Sequence, residues 1–233
     1  MKPHLDSLPA EQRRLWPELS QIPEHFVLYG GTAIALRVGG RQSVDFDFFT
    51  SQPISADVLA RSLPFLSGAR LIQSEPNTAS FTVDRDGDVK ISFFGGLTMG
   101  RVGRPDRCVD NRVRIASLLD LAAQKVKVIL VRAEPKDYED IYTLLQSGVS
   151  LPKALGAAQS LYPEFSPVLS LKALTYYGEP SLATVSTSVR EFLTEESAKV
   201  KSIRAIPRIA SSISLSSSVR NAPTRGHGKG IRI

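Results

Sequence analysis

The chain has 233 residues, 42% of them hydrophobic, which is enough to bury the core of one compact domain with an appended module or tail. Its single cysteine, Cys108, excludes an internal disulfide, and no apolar run reaches the roughly 18 residues of a membrane span. The formal net charge of +6 is unevenly distributed: eight of the 29 Lys and Arg residues, but none of the 23 acidic residues, lie in residues 197–233, so the preceding part has a net charge of −2.

The N-terminal sequence MKPHLDSLPAEQRRLW lacks the apolar segment of a secretory signal peptide. Because no membrane span is predicted either, we expect a soluble cytoplasmic protein that does not contact a membrane. The three histidines are scattered and there is one cysteine, so a zinc site is not predicted.

The first predicted elements are a strand, a glycine turn and a helix. Residues 26–29 form a short β-prone apolar run that ends at Gly30 and Gly31. Residues 32–38 then read as two helical turns, and a second glycine pair ends them. This order places two glycines at the N-terminus of a helix.

The next predicted strand carries two aspartates. Residues 43–49 alternate between polar and apolar side chains, which is the period of a strand with one buried face. Asp45 and Asp47 therefore lie on the same face of that strand. The later predicted elements are a helix at 55–66, strands at 78–83 and 89–94 joined by an Asp-Gly turn, and helices at 117–132, 136–145, 152–160 and 169–176.

Residues 197–233 form a basic tail rich in Ser and Gly, and we expect them to be largely disordered because they offer little apolar surface to offset the entropy of ordering. Two interpretations of this tail stay open. It is a nucleic-acid-binding segment, whose binding would weaken with salt, or an extension that only aids solubility.

The glycine pair and the aspartate pair together suggest a site for a nucleoside triphosphate. Unpaired backbone N–H groups at a helix N-terminus bind phosphate, and glycine lets the phosphate approach closely. The Cα atoms of Asp45 and Asp47 would lie about 6.6 Å apart, so their carboxylates can converge on Mg²⁺. Each feature alone is ordinary, since a glycine pair is usually a turn and an Asp-x-Asp strand commonly has a solvated face.

The order and spacing of these features resemble the DNA polymerase β-like nucleotidyltransferase superfamily. Within it, YGGTAIALRVGGRQSVDFDFF resembles the nucleotidyltransferase AbiEii/AbiGii toxin family, and LAAQKVKVILVRAEPKDYEDIYTLL looks like the Lys helix and Asp-x-x-Asp helix of that family. The resemblance covers roughly residues 20–175.

The resemblance implies an α+β fold, in which a nucleotidyltransferase-type mixed sheet flanked by helices precedes a helical C-terminal half and the basic tail. We expect residues 1–107 to form the nucleotidyltransferase core, residues 108–196 to form a helical region that completes the cleft, and residues 197–233 to form the tail.

The resemblance also assigns site residues. It implies phosphate contacts from Gly30, Gly31 and Thr32, metal ligation of Mg²⁺ or Mn²⁺ by Asp45 and Asp47, a triphosphate contact from Lys125, and a supporting acid at Asp137. Arg41 and Ser43 precede the first aspartate, so we expect them near the phosphates or the base. Without the resemblance, Lys125 reads equally well as a lysine at the edge of an apolar helix face, and Asp137 as a helix-dipole residue.

One position departs from the family pattern. A third carboxylate is expected near the end of a Val-Lys-Val-Asp-like run, where this chain has Ser92. Asp88 lies on the same strand face but about 13 Å away, too far to substitute. The resemblance therefore implies a Mg²⁺-dependent nucleotidyltransferase that moves NMP from an NTP to tRNA or another macromolecule, as the toxin of an abortive-infection or toxin–antitoxin pair. The alternative is a nucleotide-binding protein whose catalysis is impaired because Ser92 replaces the third carboxylate.

Overall fold

A computed structural model describes residues 1–214, and these contain a seven-stranded mixed sheet in the order β3-β4-β5-β2-β1-β7-β6. Strand β2 pairs antiparallel with β1 and parallel with β5, and β4 pairs antiparallel with β3 and β5. The strands are β1 (Val27–Tyr29), β2 (Asp45–Phe49), β3 (Arg70–Glu75), β4 (Thr78–Asp84), β5 (Asp88–Phe94), β6 (Asp106–Arg107) and β7 (Arg114–Ile115).

Eight α-helices in residues 1–214 accompany this sheet. They are α1 (Ala10–Leu15), α2 (Gly30–Val38), α3 (Ala56–Ser62), α4 (Leu118–Val128), α5 (Pro135–Gln146), α6 (Leu151–Leu161), α7 (Pro167–Thr175) and α8 (Thr187–Ala198). Helix α4 packs against α5 and α6, and α2 joins the sheet to this helical half because it contacts β2, α4 and α5. Within residues 1–214, no helix combines the length and apolar character needed to cross a membrane.

Strand β2 has the predicted alternation. Phe46 and Phe48 are fully buried, and Phe48 stacks on both Phe46 and Phe93 of β5. Asp45 and Asp47 lie on the opposite face and are half-buried. The hairpin between β4 and β5 also forms as predicted, with Asp86 and Gly87 at positive φ in the turn. The predicted mixed sheet flanked by helices is confirmed.

Several elements were not predicted from the sequence. All six residues of β3 are exposed, so this edge strand shows no hydrophobic alternation. Helices α1 and α8 were also missed. The sheet continues past residue 107, because β7 pairs parallel with β1 through Leu28 and Ile115.

The expectation of disorder from Ser197 needs correction for residues 197–214. Ser197 lies in α8, and the residues that follow pack against the body without forming a helix. Ile206 donates a backbone hydrogen bond to Gly156 (3.1 Å). Ile213 is fully buried, and the Ser214 hydroxyl donates to the backbone oxygen of His25 (2.9 Å). These apolar and backbone contacts offset the ordering entropy. The rest of the predicted tail, residues 215–233, lies outside the described residues.

Candidate active site

A cleft of about 370 Å³ lies between the exposed face of β2, β4 and β5 and the helices α2, α4 and α5. Seven of the residues predicted from the sequence line it: Gly30, Gly31, Arg41, Ser43, Asp45, Asp47 and Lys125. The same walls carry further residues that the sequence did not single out, among them Phe49, Gln73, Ser80, Lys90, Phe94, Gln124, Val128, Arg132 and Lys136. The cleft has the volume of a small-molecule site.

The two glycines at the start of α2 are required by close contacts. Gly30 has φ of +77°, and a Cβ at this position would lie 2.5 Å from the Asp47 carboxylate. A Cβ on Gly31 would lie 2.7 Å from the Arg41 guanidinium and 2.8 Å from the Ser43 hydroxyl. The N-terminus of a nine-residue helix therefore directly adjoins the carboxylate pair.

Thr32 is fully buried and does not line the cleft. Its hydroxyl donates a hydrogen bond to the backbone oxygen of Asp45. The structure thus places Thr32 behind the wall of the cleft, where it ties the first turn of α2 to the first residue of β2.

The two carboxylates of β2 are poorly compensated. Burial raises the pKa of Asp47 to about 6, and the neighbouring charge of Asp45 acts in the same direction. The nearest cation to Asp45 is the half-exposed ammonium of Lys90, at 3.9 Å. A divalent cation would relieve the repulsion between the two carboxylates.

The donor set of the cleft fits Mg²⁺ or Mn²⁺. Within residues 1–214, no group of three or more His, Cys, Asp or Glu side chains converges as metal ligands. Asp45 and Asp47 offer carboxylate oxygens only, and Mg²⁺ is commonly held by one or two carboxylates, with substrate phosphates and water completing the octahedron. A metal here would therefore depend on a phosphate-bearing ligand for part of its coordination.

Lys125 projects from α4 between two buried carboxylates of α5. Its ammonium contacts Asp137 and Asp140, each at 2.7 Å. Asp137 also accepts a hydrogen bond from Arg132 (2.9 Å). Asp140 accepts two hydrogen bonds from the Arg41 guanidinium, one on each carboxylate oxygen and each 2.8 Å long. Five charged side chains thus form one network that joins the loop before β2 to the helical half.

The network determines the ionisation of Asp137, which is fully buried. Burial alone would raise the pKa of this carboxyl group, but hydrogen bonds from Arg132 and Lys125 outweigh burial and hold its pKa below the ordinary value. Asp137 does not line the cleft. It contacts Lys125 and Arg132, which do line the cleft.

Residues 14–173 match the sequence profile of a family described as "Nucleotidyl transferase AbiEii toxin, Type IV TA system". The chain belongs to this AbiEii family. An uncharacterised protein of Aquifex aeolicus (strain VF5) is 30% identical over 155 residues, which are 65% of this chain and 73% of that protein.

A solved structure shows the same fold. MenT4, a nucleotidyltransferase toxin from Mycobacterium tuberculosis H37Rv, superposes with a TM-score of 0.58 at 11% identity, over 83% of this chain and 87% of that one. An antigenic nucleotidyltransferase-like protein from Paracoccidioides brasiliensis has a TM-score of 0.48 at 15% identity, over 88% and 96% of the two chains. The superposition with MenT4 confirms the predicted nucleotidyltransferase fold.

Ser92 stands where the resemblance led us to expect a third carboxylate. It pairs directly with Asp47 across β2 and β5, is buried, and accepts a hydrogen bond from the Ser80 hydroxyl at 3.0 Å. Asp88 forms an exposed ion pair with Arg70 instead (3.3 Å). Among residues 1–214, Asp45 and Asp47 are the acids that line the cleft.

Two members of the five-residue charged network were not assigned from the sequence. Asp140 lies three residues after Asp137, and this helical spacing could have placed both on one face toward Lys125. Arg132 was placed at the end of the helix predicted at 117–132, but it lies beyond the end of α4 in an irregular segment.

Proposed function

We propose that this AbiEii-family protein is a Mg²⁺-dependent nucleotidyltransferase that moves a nucleoside monophosphate from an NTP to an acceptor hydroxyl. The observation that carries the proposal is the meeting, in one cleft, of the α2 N-terminus, the carboxylate pair of β2 and Lys125. Each part serves a different requirement of the same substrate, namely phosphate binding, metal binding and charge neutralisation.

In this proposal, different residues bind the phosphates and the metal. The backbone N–H groups at Gly30 and Gly31 bind the β- and γ-phosphates, with Arg41 and Ser43 beside them. Lys125 and Arg132 supply positive charge from the opposite wall. Asp45 and Asp47 would hold Mg²⁺, which neutralises charge on the reacting and departing phosphate oxygens when bound.

In the reaction, the acceptor oxygen forms a bond to the α-phosphorus while the bond from that phosphorus to the bridging oxygen breaks. The acceptor hydroxyl loses its proton to solvent water, and pyrophosphate leaves with the electron pair of the broken bond. The chain contributes mainly positioning and electrostatic stabilisation, as is general for transfer to phosphorus. Thr32 supports this geometry by fixing Asp45 to α2.

The acceptor in this proposal is tRNA or another macromolecule, and the biological role is that of the toxin in a toxin–antitoxin pair acting in the cytoplasm. The family description, which names a type IV toxin–antitoxin system, supports the role and implies a cognate antitoxin protein. MenT4, which shares the fold, is itself described as a nucleotidyltransferase toxin.

The test is transfer of label. The purified protein is incubated with each labelled NTP, Mg²⁺ and either total RNA or total protein, and label in the macromolecular fraction is measured. We expect transfer by the wild type and none by the Asp45→Ala/Asp47→Ala variant. The control is Asp57→Ala, an exposed acid on α3 outside the cleft. Absence of transfer by the wild type, or equal transfer by the double variant, would contradict the proposal.

A second candidate function is nucleotide binding with impaired transfer, and the position of Ser92 favours it. The hydroxyl of Ser92 lies opposite Asp47, where the superfamily pattern has a further metal-binding carboxylate. Calorimetry that detects NTP binding, together with no transfer to any acceptor, would support this function. Gain of transfer in Ser92→Asp would show that the missing carboxylate is the reason.

A further inference from the structure

The side chains on the sheet face that forms the floor of the cleft change from charged to aromatic along β2. The register between β2 and β5 pairs Asp45 with Lys90, Asp47 with Ser92 and Phe49 with Phe94. All six side chains line the cleft. The floor therefore passes from a charged row through a polar row to an aromatic row within five strand residues.

The helix N-terminus lies at the charged end of this floor. Tyr29 pairs with Asp47 across β1 and β2, and Val27 pairs with Phe49. The chain direction of β1 therefore carries Gly30 and Gly31 toward Asp45 and away from Phe49. Phosphates bound at α2 lie on the Asp45 side of the carboxylate pair, and the aromatic row lies on the other side.

The aromatic row is a fixed surface. Phe49 stacks on Tyr29 with centroids 4.9 Å apart and planes at 12°, and it meets Phe94 edge-on at 5.2 Å and 76°. Tyr29 is buried, whereas Phe49 and Phe94 keep part of their surface open to the cleft. Rigid aromatic rings of this kind bind planar, weakly polar groups at little cost in conformational entropy.

Helix α4 contributes an amide to the same cleft. Gln124 and Val128, one helical turn apart, both line the cleft. The side-chain oxygen of Gln124 is buried and has no hydrogen-bond partner among residues 1–214. A buried polar atom without a partner is costly, and an amide can both donate to and accept from the edge of a base.

We propose that the nucleobase of the NTP binds between this aromatic row and α4, in contact with Phe49, Phe94 and Val128 and hydrogen-bonded to Gln124. This inference rests on the proposed function, because it assumes that the phosphates lie at α2. Phe49 is about 6.6 Å along the strand from Asp47, so a nucleoside attached to a phosphate at the carboxylate pair reaches it. The base, and not the triphosphate alone, then determines which substrate is held.

The test compares nucleotides with a probe that has no base. Binding of ATP, CTP, GTP, UTP and inorganic tripolyphosphate to the full chain is measured by calorimetry in Mg²⁺ without acceptor. We expect at least one NTP to bind the wild type about tenfold or more tightly than tripolyphosphate, since a base on an aromatic surface contributes on that scale.

Two variants remove the proposed contacts with little loss of volume. Phe94→Leu and Gln124→Met should each weaken binding of the preferred NTP about tenfold and leave tripolyphosphate binding unchanged. Unchanged tripolyphosphate binding also shows that the variant is folded. The controls are Phe192→Leu and Gln146→Met, which make the same changes on α8 and α5 away from the cleft.

The outcomes separate this inference from the proposed function. Equal affinity of the wild type for all four NTPs and tripolyphosphate, or an unchanged preference in both variants, would overturn the base site and leave the phosphate site standing. No binding of any NTP would overturn the proposed function and the base site with it.

Discussion

Asp45 and Asp47 on β2 differ from Asp137 and Asp140 on α5 in the charges that surround them. The α5 pair is buried and accepts hydrogen bonds or ion pairs from Lys125, Arg132 and Arg41 at 2.7–2.9 Å. The β2 pair faces the cleft, and its nearest cation is Lys90 at 3.9 Å.

This difference has opposite consequences for ionisation. The pKa of Asp47 is raised to about 6 by burial and by Asp45, whereas the cations around Asp137 overcome burial and lower its pKa. The β2 pair carries negative charge that its surroundings compensate poorly, so it suits a metal. The α5 pair is neutralised by Lys125, Arg132 and Arg41 and holds these cations in position. The same residue type thus has opposite shifts of its pKa on the sheet and on the helix.

The largest effect is expected from the supporting pair. Asp137→Asn should lower the free energy of unfolding at neutral pH by about 3–5 kcal/mol, because it removes one partner of a buried ion pair. The folded pKa of Asp137 is lowered, so its contribution is present above the unfolded pKa and is lost as pH falls through the folded value. Urea unfolding at several pH values measures both.

The matched control for this variant is Asp88→Asn, which breaks the exposed ion pair with Arg70 and should change stability little. If Asp137→Asn unfolded no more easily than Asp88→Asn at neutral pH, the network would not be a structural support, and the contrast between the two pairs would fail.

A smaller effect of opposite sign is expected from the β2 pair. In the absence of metal, Asp47→Asn should raise the free energy of unfolding at pH 7–8 by about 1–3 kcal/mol, because it removes a charge that burial disfavours. The folded pKa is raised, so the wild type regains stability as pH falls through about 6, and the advantage of the variant disappears below pH 4. Destabilisation of the metal-free protein by this substitution at pH 7–8 would show that Asp47 is compensated after all.

The two pairs also differ in how far the sequence could predict them. The spacing of Asp45 and Asp47 follows from the two-residue period of a strand, and Gly30 and Gly31 follow from a local turn, so short-range patterns revealed both. The contact between Arg41 and Asp140 joins residues 99 positions apart and depends on how α5 packs against the loop before β2. No local period encodes such a contact.

The same limit explains the errors elsewhere in the fold. Strand β3 is exposed on both faces and carries no alternation, so only its pairing with β4 identifies it. The segment after α8 is ordered by contacts with distant glycines: a Cβ on Gly156 would collide with the backbone oxygen of Arg204, and one on Gly100 with that of Ala210. Composition alone does not predict that Gly100 and Gly156 leave room for the segment after α8.

The smallest expected effect is a response to metal that only the β2 pair should support. Mg²⁺ at ten times its dissociation constant should stabilise the wild type by about 1.4 kcal/mol, as measured by the shift of its thermal unfolding midpoint. The response should weaken as pH falls through about 6, because a protonated Asp47 is a poor ligand. Asp47→Asn should lose the response and Asp137→Asn should keep it. If Asp137→Asn lost the response at a temperature where it is folded, the α5 pair would also be needed for metal binding, and the division between a binding pair and a supporting pair would not hold.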